Sequence, residues 1–207
     1  MLLAAVIFIG GYLYGNINSA EDEAINIINV DEIPSQVLKA KGEGLASGKY
    51  INTFVDKIVD GDTIKVEYKG ESLTVRLLDV DTPESVKRGV PVQQYGKEAF
   101  RFTEKMTLNR EVRLVFEKGL RDKYGRLLAH VLLQDGKYLN ALLVRNGYAR
   151  VEIVSPNTAL RDYFNELQEE AVDDRTGLWR LPDDKQPFVK DRSGKYVPSY
   201  LSKEKAS

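Results

Sequence analysis

The chain has 207 residues, with 43% hydrophobic and 29% charged side chains and a formal net charge of −1. This length and balance are typical of one soluble globular domain with additional segments, and the small net charge neither favours nor excludes a nucleic-acid partner. The absence of cysteine excludes disulfides, thiolate metal sites and thiol nucleophiles, and the single histidine, His130, excludes a site built from several imidazoles.

Charge is distributed unevenly along the chain. Residues 49–150 carry 19 Lys and Arg against 14 Asp and Glu, whereas the flanking residues carry 11 basic and 17 acidic side chains. A basic body between acidic flanks suits a polyanionic partner, because its field attracts phosphate groups. A solvated surface of mixed charge explains the same distribution equally well.

The two ends of the chain differ in composition from its centre. Residues 1–13 are continuously apolar and uncharged, shorter than the roughly 20 residues of a membrane span but suitable for the core of a signal peptide. We expect residues 1–18 to be a signal peptide or membrane anchor, so that the protein is secreted or membrane-anchored outside the cytoplasm; a buried helix is the alternative. Residues 19–48 indicate a linker or arm, and residues 182–207, with three prolines, indicate a flexible tail.

Residues 49–181 form the predicted folded domain. Runs rich in β-branched residues predict five strands, and apolar positions at helical spacing predict three helices. The strands are expected at residues 54–59, 63–68, 73–80, 112–116 and 127–133, and the helices at residues 95–108, 139–145 and 160–173. Because strands and helices do not alternate strictly, this order favours an α+β fold, mainly a small β-barrel with packed helices.

Three polar segments fall in turns or at strand ends of this domain. They are residues 60–63 (DGDT), 76–84 (RLLDVDTPE) and 122–126 (DKYGR). Phosphodiester hydrolysis needs positive charge facing the phosphoryl oxygens, a hard cation on oxygen ligands and a carboxylate that accepts the proton of water. Each segment alone has an ordinary explanation as a turn or helix start. Arg76 is less ordinary, because an arginine among apolar strand residues needs an anionic partner.

The order and spacing of these segments resemble the staphylococcal nuclease (thermonuclease) family. The similarity continues through YGKEAFRFTEKM at residues 95–106 and LNALLVRNGYARV at residues 139–151, and it ends with GLW at residues 177–179. The resemblance implies an OB-fold, a five-stranded barrel with three packed helices. It also implies a monomeric, calcium-dependent endonuclease that hydrolyses phosphodiester bonds of DNA and/or RNA and leaves 3′-phosphate ends.

The same resemblance implies roles for individual residues. Arg76 and Arg126 would grip the scissile phosphate, and Glu84 would orient or deprotonate the attacking water. Lys123 and Tyr124 would contact a neighbouring phosphate of the substrate. The Ca²⁺ ligands would be the carboxylates of Asp62 and Asp81 and the backbone carbonyl of Thr82, with Asp60 behind them.

Some positions depart from the family pattern or fall outside the site. Residues 152–157 contain no aromatic side chain where the family's type member has tyrosines that hold the substrate base, so base stacking is expected to be weaker. Asp79 replaces an apolar residue; it would either add negative charge near the cation or point to solvent, and the second is the interpretation preferred here. His130 is interpreted as structural, and Trp179 as packing the end of the last helix on the barrel.

Two other functions remain open from the sequence. The same barrel without catalysis would be a module that binds nucleic acid or a protein, although degenerate members of the family lose the carboxylates and arginines that are present here. A membrane-tethered structural protein would depend on the apolar N-terminal segment, and nothing in the domain favours it. Turnover in a cleavage assay separates the enzyme from both alternatives.

Overall fold

The computed structural model describes residues 27–30, 32–85 and 92–204, with side chains described up to residue 201. The expected signal peptide or anchor at residues 1–18 lies outside the described residues. Within the described ranges, no helix combines the length and apolar character that crossing a membrane requires.

Nine strands and five α-helices make up the described part of the chain. The strands are β1 (Tyr50–Asp60), β2 (Thr63–Tyr68), β3 (Glu71–Leu77), β4 (Asp79–Asp81), β5 (Glu111–Val115), β6 (Leu127–Leu133), β7 (Arg150–Glu152), β8 (Phe188–Lys190) and β9 (Tyr196–Pro198). The helices are α1 (Ser35–Leu38), α2 (Gly96–Thr107), α3 (Leu139–Arg145), α4 (Arg161–Asp173) and α5 (Ser199–Glu204), with 3₁₀ turns at Gly177–Arg180 and Asp183–Lys185.

Five strands close into a barrel in the order β1-β2-β3-β6-β5. Neighbouring strands are antiparallel except β3 and β6, which run parallel with Val75 opposite Leu127. Alternate residues of β1, among them Ile51 and Val55, are completely buried, as the two-residue period of a strand requires. The predicted fold class, an α+β OB-type barrel with packed helices, is confirmed.

Helices cover the outside of the barrel. Ala99, Phe102 and Met106 form the buried face of α2, which packs against β1. Helix α3 packs against β6, which lies between β3 and β5 in the barrel, and every residue of β6 is buried. Helix α3 ends at Arg145, Asn146 is its C-cap, and Gly147 follows with a φ of +64°, which confirms the predicted C-terminal cap.

The strand predicted at residues 73–80 is divided in the structure. Strand β3 ends at Leu77, and β4 leaves the barrel to pair with β7 in a separate two-stranded ribbon. The division occurs at Asp79, whose φ of +64° is left-handed and interrupts the extended backbone. Asp79 is only 2% exposed, so the interpretation that it points to solvent was wrong, because the reversal of the backbone directs its side chain into the protein.

Both flanking segments pack on the domain through individual side chains. In the segment expected to be a linker, Val37 is buried on the core, and the Asn146 side chain binds the backbone of Ile28. In the segment expected to be a flexible tail, β8 and β9 form a hairpin whose Phe188 is buried beside Trp179. Trp179 packs with this hairpin and α4 rather than with the barrel core.

Candidate active site

Most of the predicted site residues line one cleft at an end of the barrel, with a volume of about 490 Å³. The turn from β1 to β2, the C-terminal end of β3 and the start of β6 meet at this end. Strand β3 runs antiparallel to β2, and its last three residues, 75–77, pair with the first three residues of β6, 127–129. The charged residues that line it are Asp60, Asp62, Arg76, Asp81, Glu84, Arg126 and Glu152, together with Thr82 and Tyr124. Lys123 lies in the adjoining pocket, which shares Tyr124 and Arg126.

Asp62 is buried in the turn that precedes β2, and its carboxylate connects the turn to the segment after β4. The hydroxyl of Thr63 donates to Asp62 Oδ1 at 2.9 Å, and the backbone N–H of Thr82 donates to Asp62 Oδ2 at 3.0 Å. Gly61, which precedes Asp62, allows the turn to pack closely against Thr82 and α2. A Cβ atom at this position would lie 2.8 Å from Thr82 Oγ1 and 2.9 Å from Ala99 Cβ. A larger residue would separate Asp62 from Thr82.

Arg76 lies near the end of β3 and is surrounded by acceptors. Its Nη1 donates to the carbonyl oxygens of Leu77 and Val80 at 3.0 and 2.5 Å. Its Nη2 lies 3.3 Å from Asp62 Oδ2 and 3.2 Å from Asp81 Oδ1. Burial acts to lower the pKa of Arg76, but the neighbouring carboxylates outweigh burial and raise it. The anionic partners that the sequence required for Arg76 are therefore present.

The sequence reasoning missed Arg150 and Glu152, which lie in β7 opposite β4. Arg150 Nη2 lies 2.7 Å from Asp81 Oδ2 and 2.8 Å from Glu152 Oε1. Glu152 also reaches Arg76 Nη2 at 3.5 Å. Burial raises the pKa of Asp81 to about 6, against the opposing influence of Arg150 and Arg76. Arg76 attracted notice as an arginine among apolar strand residues. Arg150 lies between Ala149 and Val151, so the same pattern could have identified it.

Glu84 lies four residues after Val80 in a segment without regular structure, and its backbone is held by Gln93. The N–H of Glu84 donates to Gln93 Oε1 at 3.0 Å, and the N–H of Gln93 donates to the carbonyl of Glu84 at 2.9 Å. Gly96, the first residue of α2, packs so closely that a Cβ there would lie 2.8 Å from the Glu84 carbonyl oxygen. The start of α2 therefore sets the position of Glu84.

Asp60 lies behind Asp62 in the cleft. Its Oδ1 accepts hydrogen bonds from the hydroxyl of Ser85 at 2.6 Å and from the N–H of Gly61 at 2.9 Å. Burial raises the pKa of Asp60, and the nearby charges of Asp62 and Glu84 raise it further, although the hydrogen bond from Ser85 lowers it. Asp60 thus adds to the negative potential around Asp62.

Arg126 and its neighbours form the opposite, more exposed wall. Arg126 Nε donates to Asp122 Oδ2 at 2.7 Å, which directs the guanidinium without burying it, since the side chain is 31% exposed. The exposed Tyr124 ring lies under the cations of Lys123 and Arg126, at 5.0 and 5.5 Å from its centroid. This wall presents two cations and an aromatic face, which suits a phosphate and its adjoining sugar or base.

The charge balance of the cleft suits a divalent cation. Among the described residues, five carboxylates and two guanidinium groups line it, so the cleft by itself would repel an anionic substrate. Carboxylate and carbonyl oxygens are the donors that a hard cation such as Ca²⁺ prefers, and Asp62, Asp81 and Thr82 are among the residues that line the cleft. The donor set therefore fits such an ion.

Comparisons with known proteins relate the chain to nucleases. The model of the family described as staphylococcal nuclease homologue matches residues 74–181. A thermonuclease of Staphylococcus intermedius is 42% identical over 125 residues, which cover 60% of this chain and 74% of that protein. Endonuclease YncB of Bacillus subtilis (strain 168) is 44% identical over 133 residues, which cover 63% of this chain and 63% of that protein. The SPbeta prophage-derived endonuclease YokF of the same strain is 42% identical over 144 residues, 69% of this chain and 47% of that protein.

Proposed function

The chain belongs to the staphylococcal nuclease homologue family, and on this premise we propose that it is a calcium-dependent endonuclease that hydrolyses phosphodiester bonds of DNA and/or RNA and leaves 3′-phosphate ends. The observation that carries the proposal is the meeting of Arg76, Arg126, Glu84 and the carboxylates of Asp62 and Asp81 in one cleft. The relatives named as a thermonuclease and endonucleases support the nuclease activity. The family resemblance and the all-oxygen donor set support Ca²⁺ and the class of product.

The proposed Ca²⁺ ligands are the carboxylates of Asp62 and Asp81 and the carbonyl of Thr82. When bound, the ion would neutralise part of the carboxylate charge and polarise a phosphoryl oxygen. Both oxygens of Asp81 already accept hydrogen bonds or ion pairs from Arg76 and Arg150, and each carboxylate oxygen has a second lone pair to offer. The two arginines therefore orient Asp81 without consuming its capacity as a ligand.

The two arginines reach the phosphate in different ways. Arg126 uses Nε for Asp122, which leaves its terminal nitrogens for a bidentate contact with phosphate. The Nη2 of Arg76 contacts three carboxylates, of which Glu152 is the most distant at 3.5 Å. A phosphate oxygen that replaces Glu152 would keep Arg76 neutralised while it stabilises the negative charge of the transition state.

Glu84 is the proposed proton acceptor. Its carboxylate takes a proton from water as the water oxygen attacks phosphorus, and the bond from phosphorus to the 5′ oxygen breaks. The 5′ oxygen leaves as a hydroxyl after it receives a proton from solvent, and the phosphate stays on the 3′ oxygen. The backbone contacts of Glu84 with Gln93 support a fixed position for this base.

Cleavage of plasmid DNA and of RNA by the full chain tests the proposal. With Ca²⁺ we expect turnover, and with a chelator or in the Glu84→Gln variant we expect a loss of at least about 100-fold. The matched control is Asp135→Asn, which neutralises a carboxylate that is half exposed and outside the cleft. Stoichiometric binding without cleavage would support a non-catalytic module, and unchanged cleavage in chelator would refute the metal dependence.

We also propose that residues 1–18 direct export, so that the domain works outside the cytoplasm. The apolar, uncharged run at residues 1–13 supports this proposal. Fractionation of expressing cells, compared with a variant that lacks residues 1–18, tests it. Equal cytoplasmic retention of both proteins would contradict export.

A further inference from the structure

Three ionisable side chains converge outside the cleft described above. Asp79, Glu117 and His130 each place one possible ligand atom within 4.8 Å of the other two. Asp79 and His130 are 2% and 1% exposed, and the Glu117 side chain is 13% exposed. None of the three lines the cleft that contains Asp62 and Asp81, so the cluster needs its own explanation.

Asp79 is the unexplained member of the cluster. No hydrogen-bond donor in the described parts of the chain reaches either of its carboxylate oxygens. An unpartnered carboxylate in a buried position is expensive, and the left-handed backbone of this non-glycine residue adds to the cost. Burial and the negative charge of Glu117 raise the pKa of Asp79 to about 8, against the attraction of Arg161, which does not hydrogen-bond to it. A ligand between Asp79 and its neighbours would supply the partner that this buried carboxyl group lacks.

His130 is oriented from both sides of its ring. Its Nε2 lies 2.9 Å from Glu117 Oε1, inside the cluster, and its Nδ1 lies 2.6 Å from the hydroxyl of the buried Tyr138. A histidine that binds a metal through one nitrogen commonly donates a hydrogen bond from the other, which sets its tautomer and its orientation. Tyr138 is placed to accept that hydrogen bond from Nδ1.

We propose that Asp79, Glu117 and His130 bind one Zn²⁺ ion through a carboxylate oxygen of each acid and Nε2 of the imidazole. One nitrogen and two oxygen donors suit Zn²⁺, whereas Ca²⁺ prefers oxygen donors alone. Two carboxylates would neutralise the ion, and the ion would give the buried carboxylate of Asp79 the partner that the described residues do not supply.

The surroundings of the cluster suit a small ion. Ligand atoms around tetrahedral zinc are separated by roughly 3.4 Å. Ion binding would therefore open the 2.9 Å contact between His130 Nε2 and Glu117 Oε1 slightly and shorten any separation near the 4.8 Å limit, and the partly exposed Glu117 side chain has room to move. Asp79 also lines a pocket of about 550 Å³ together with Leu78, Ser155 and Pro156. Glu117 and His130 do not line this pocket, so an ion and a water molecule as fourth ligand would enter past Asp79.

The ion would connect the barrel to the ribbon formed by β4 and β7. Asp79 begins β4, Glu117 follows β5 and His130 lies in β6. Strand β4 continues directly to Asp81 and Thr82, so zinc would fix the strand that enters the candidate active site. Its contribution would be to the position of β4 and to stability rather than to the chemistry of cleavage.

The single histidine of the chain makes the proposal directly testable. The full chain is prepared without a histidine tag, labelled with ¹⁵N-histidine and saturated with Ca²⁺, and one equivalent of Zn²⁺ is then added. We expect the Nε2 resonance of His130 to shift with a stoichiometry near one. An unchanged resonance would overturn the proposal, because zinc would then be bound at the cleft carboxylates or not bound at all.

Variants provide the second measurement. In calorimetric titrations with Zn²⁺, Asp79→Asn and Glu117→Gln should each weaken binding at least about tenfold, whereas Asp135→Asn should bind as the wild type does. Wild-type affinity in both ligand variants would also overturn the proposal. If Asp79→Asn does not fold, the Zn²⁺ titration of Glu117→Gln and the His130 resonance of the wild type still test the proposal. Neither measurement depends on nuclease activity.

Discussion

Arg150 Nη2 lies 2.7 Å from Asp81 Oδ2, across the ribbon formed by β4 and β7. The same side chain donates from Nη1 to the carbonyl of Tyr196 in the C-terminal hairpin at 3.0 Å, and its guanidinium lies 5.3 Å from the Phe188 ring centroid. Through one buried arginine, a candidate metal ligand is thus connected to the C-terminal hairpin, which lies beyond the motifs that carry the family resemblance. The hairpin thus helps to hold Arg150, and through it Asp81, in place.

Replacement of Arg150 by methionine should lower the free energy of unfolding by about 3 kcal/mol, because it leaves Asp81 with less compensation in a buried position. The matched control is Arg145→Met, whose partners Glu170 and Asp174 are more than half exposed, and whose expected cost is below about 1 kcal/mol. Urea unfolding measures both values. Equal losses would show that Arg150 does not have the structural role assigned to it.

Arg76→Ala and Arg126→Ala should have similar effects on catalysis and different effects on stability. Each variant should lower kcat by about 100-fold or more, because each removes positive charge that faces the phosphate. Only Arg76→Ala should also cost roughly 3 kcal/mol of stability, since Asp62 and Asp81 lose their shared cation. Cleavage of a short oligonucleotide and urea unfolding separate the two effects. A stability loss in Arg126→Ala as large as in Arg76→Ala would contradict this division.

Ca²⁺ should stabilise the folded chain, and a chelator should reverse the effect. At a concentration of 100 times the dissociation constant, a ligand that binds only the folded state adds about 2.7 kcal/mol. The shift in melting temperature should be absent in Asp62→Asn and retained in the exposed-site control Asp135→Asn. An equal shift in Asp62→Asn would exclude Asp62 as a ligand.

Gln93 is expected to act as a positioning residue for Glu84. Gln93→Leu removes the side-chain acceptor of the Glu84 N–H, so Glu84 should be less well placed and kcat should fall by about tenfold, with little change in KM. The matched control is Gln134→Leu, which removes an exposed glutamine that bonds to Glu111. A change in KM with an unchanged kcat would assign Gln93 to substrate binding instead.

Turn residues and apolar spacing predicted the strands and helices whose ends are set by residues nearby in the sequence. Strands β2 and β6 and helix α3 have the predicted bounds, because turn residues and regular apolar spacing define them within a few positions. Helix α2 begins at Gly96, one residue after the predicted start. The fold class followed from the order of these elements together with the family resemblance.

Asp79 and Phe188 show where local signals are insufficient. An aspartate between apolar residues of a strand fits solvent exposure as well as burial, and its surroundings depend on Glu117 and His130, which are distant in sequence. Similarly, the polar composition after Pro182 concealed a hairpin that is anchored by Phe188 against Trp179. In both cases the decisive contacts join segments that are far apart along the chain.

The sequence by itself indicated a small barrel with packed helices through the order of its elements, and its family resemblance implied the OB-fold and most of the cleft residues. Only the tertiary structure decided which carboxylate faces which arginine, that Arg150 and Glu152 belong to the site, and that Asp79 is buried. Those outcomes depend on the exclusion of water and on charge pairing between distant segments, and the strength of both is set by the packed environment rather than by any stretch of sequence.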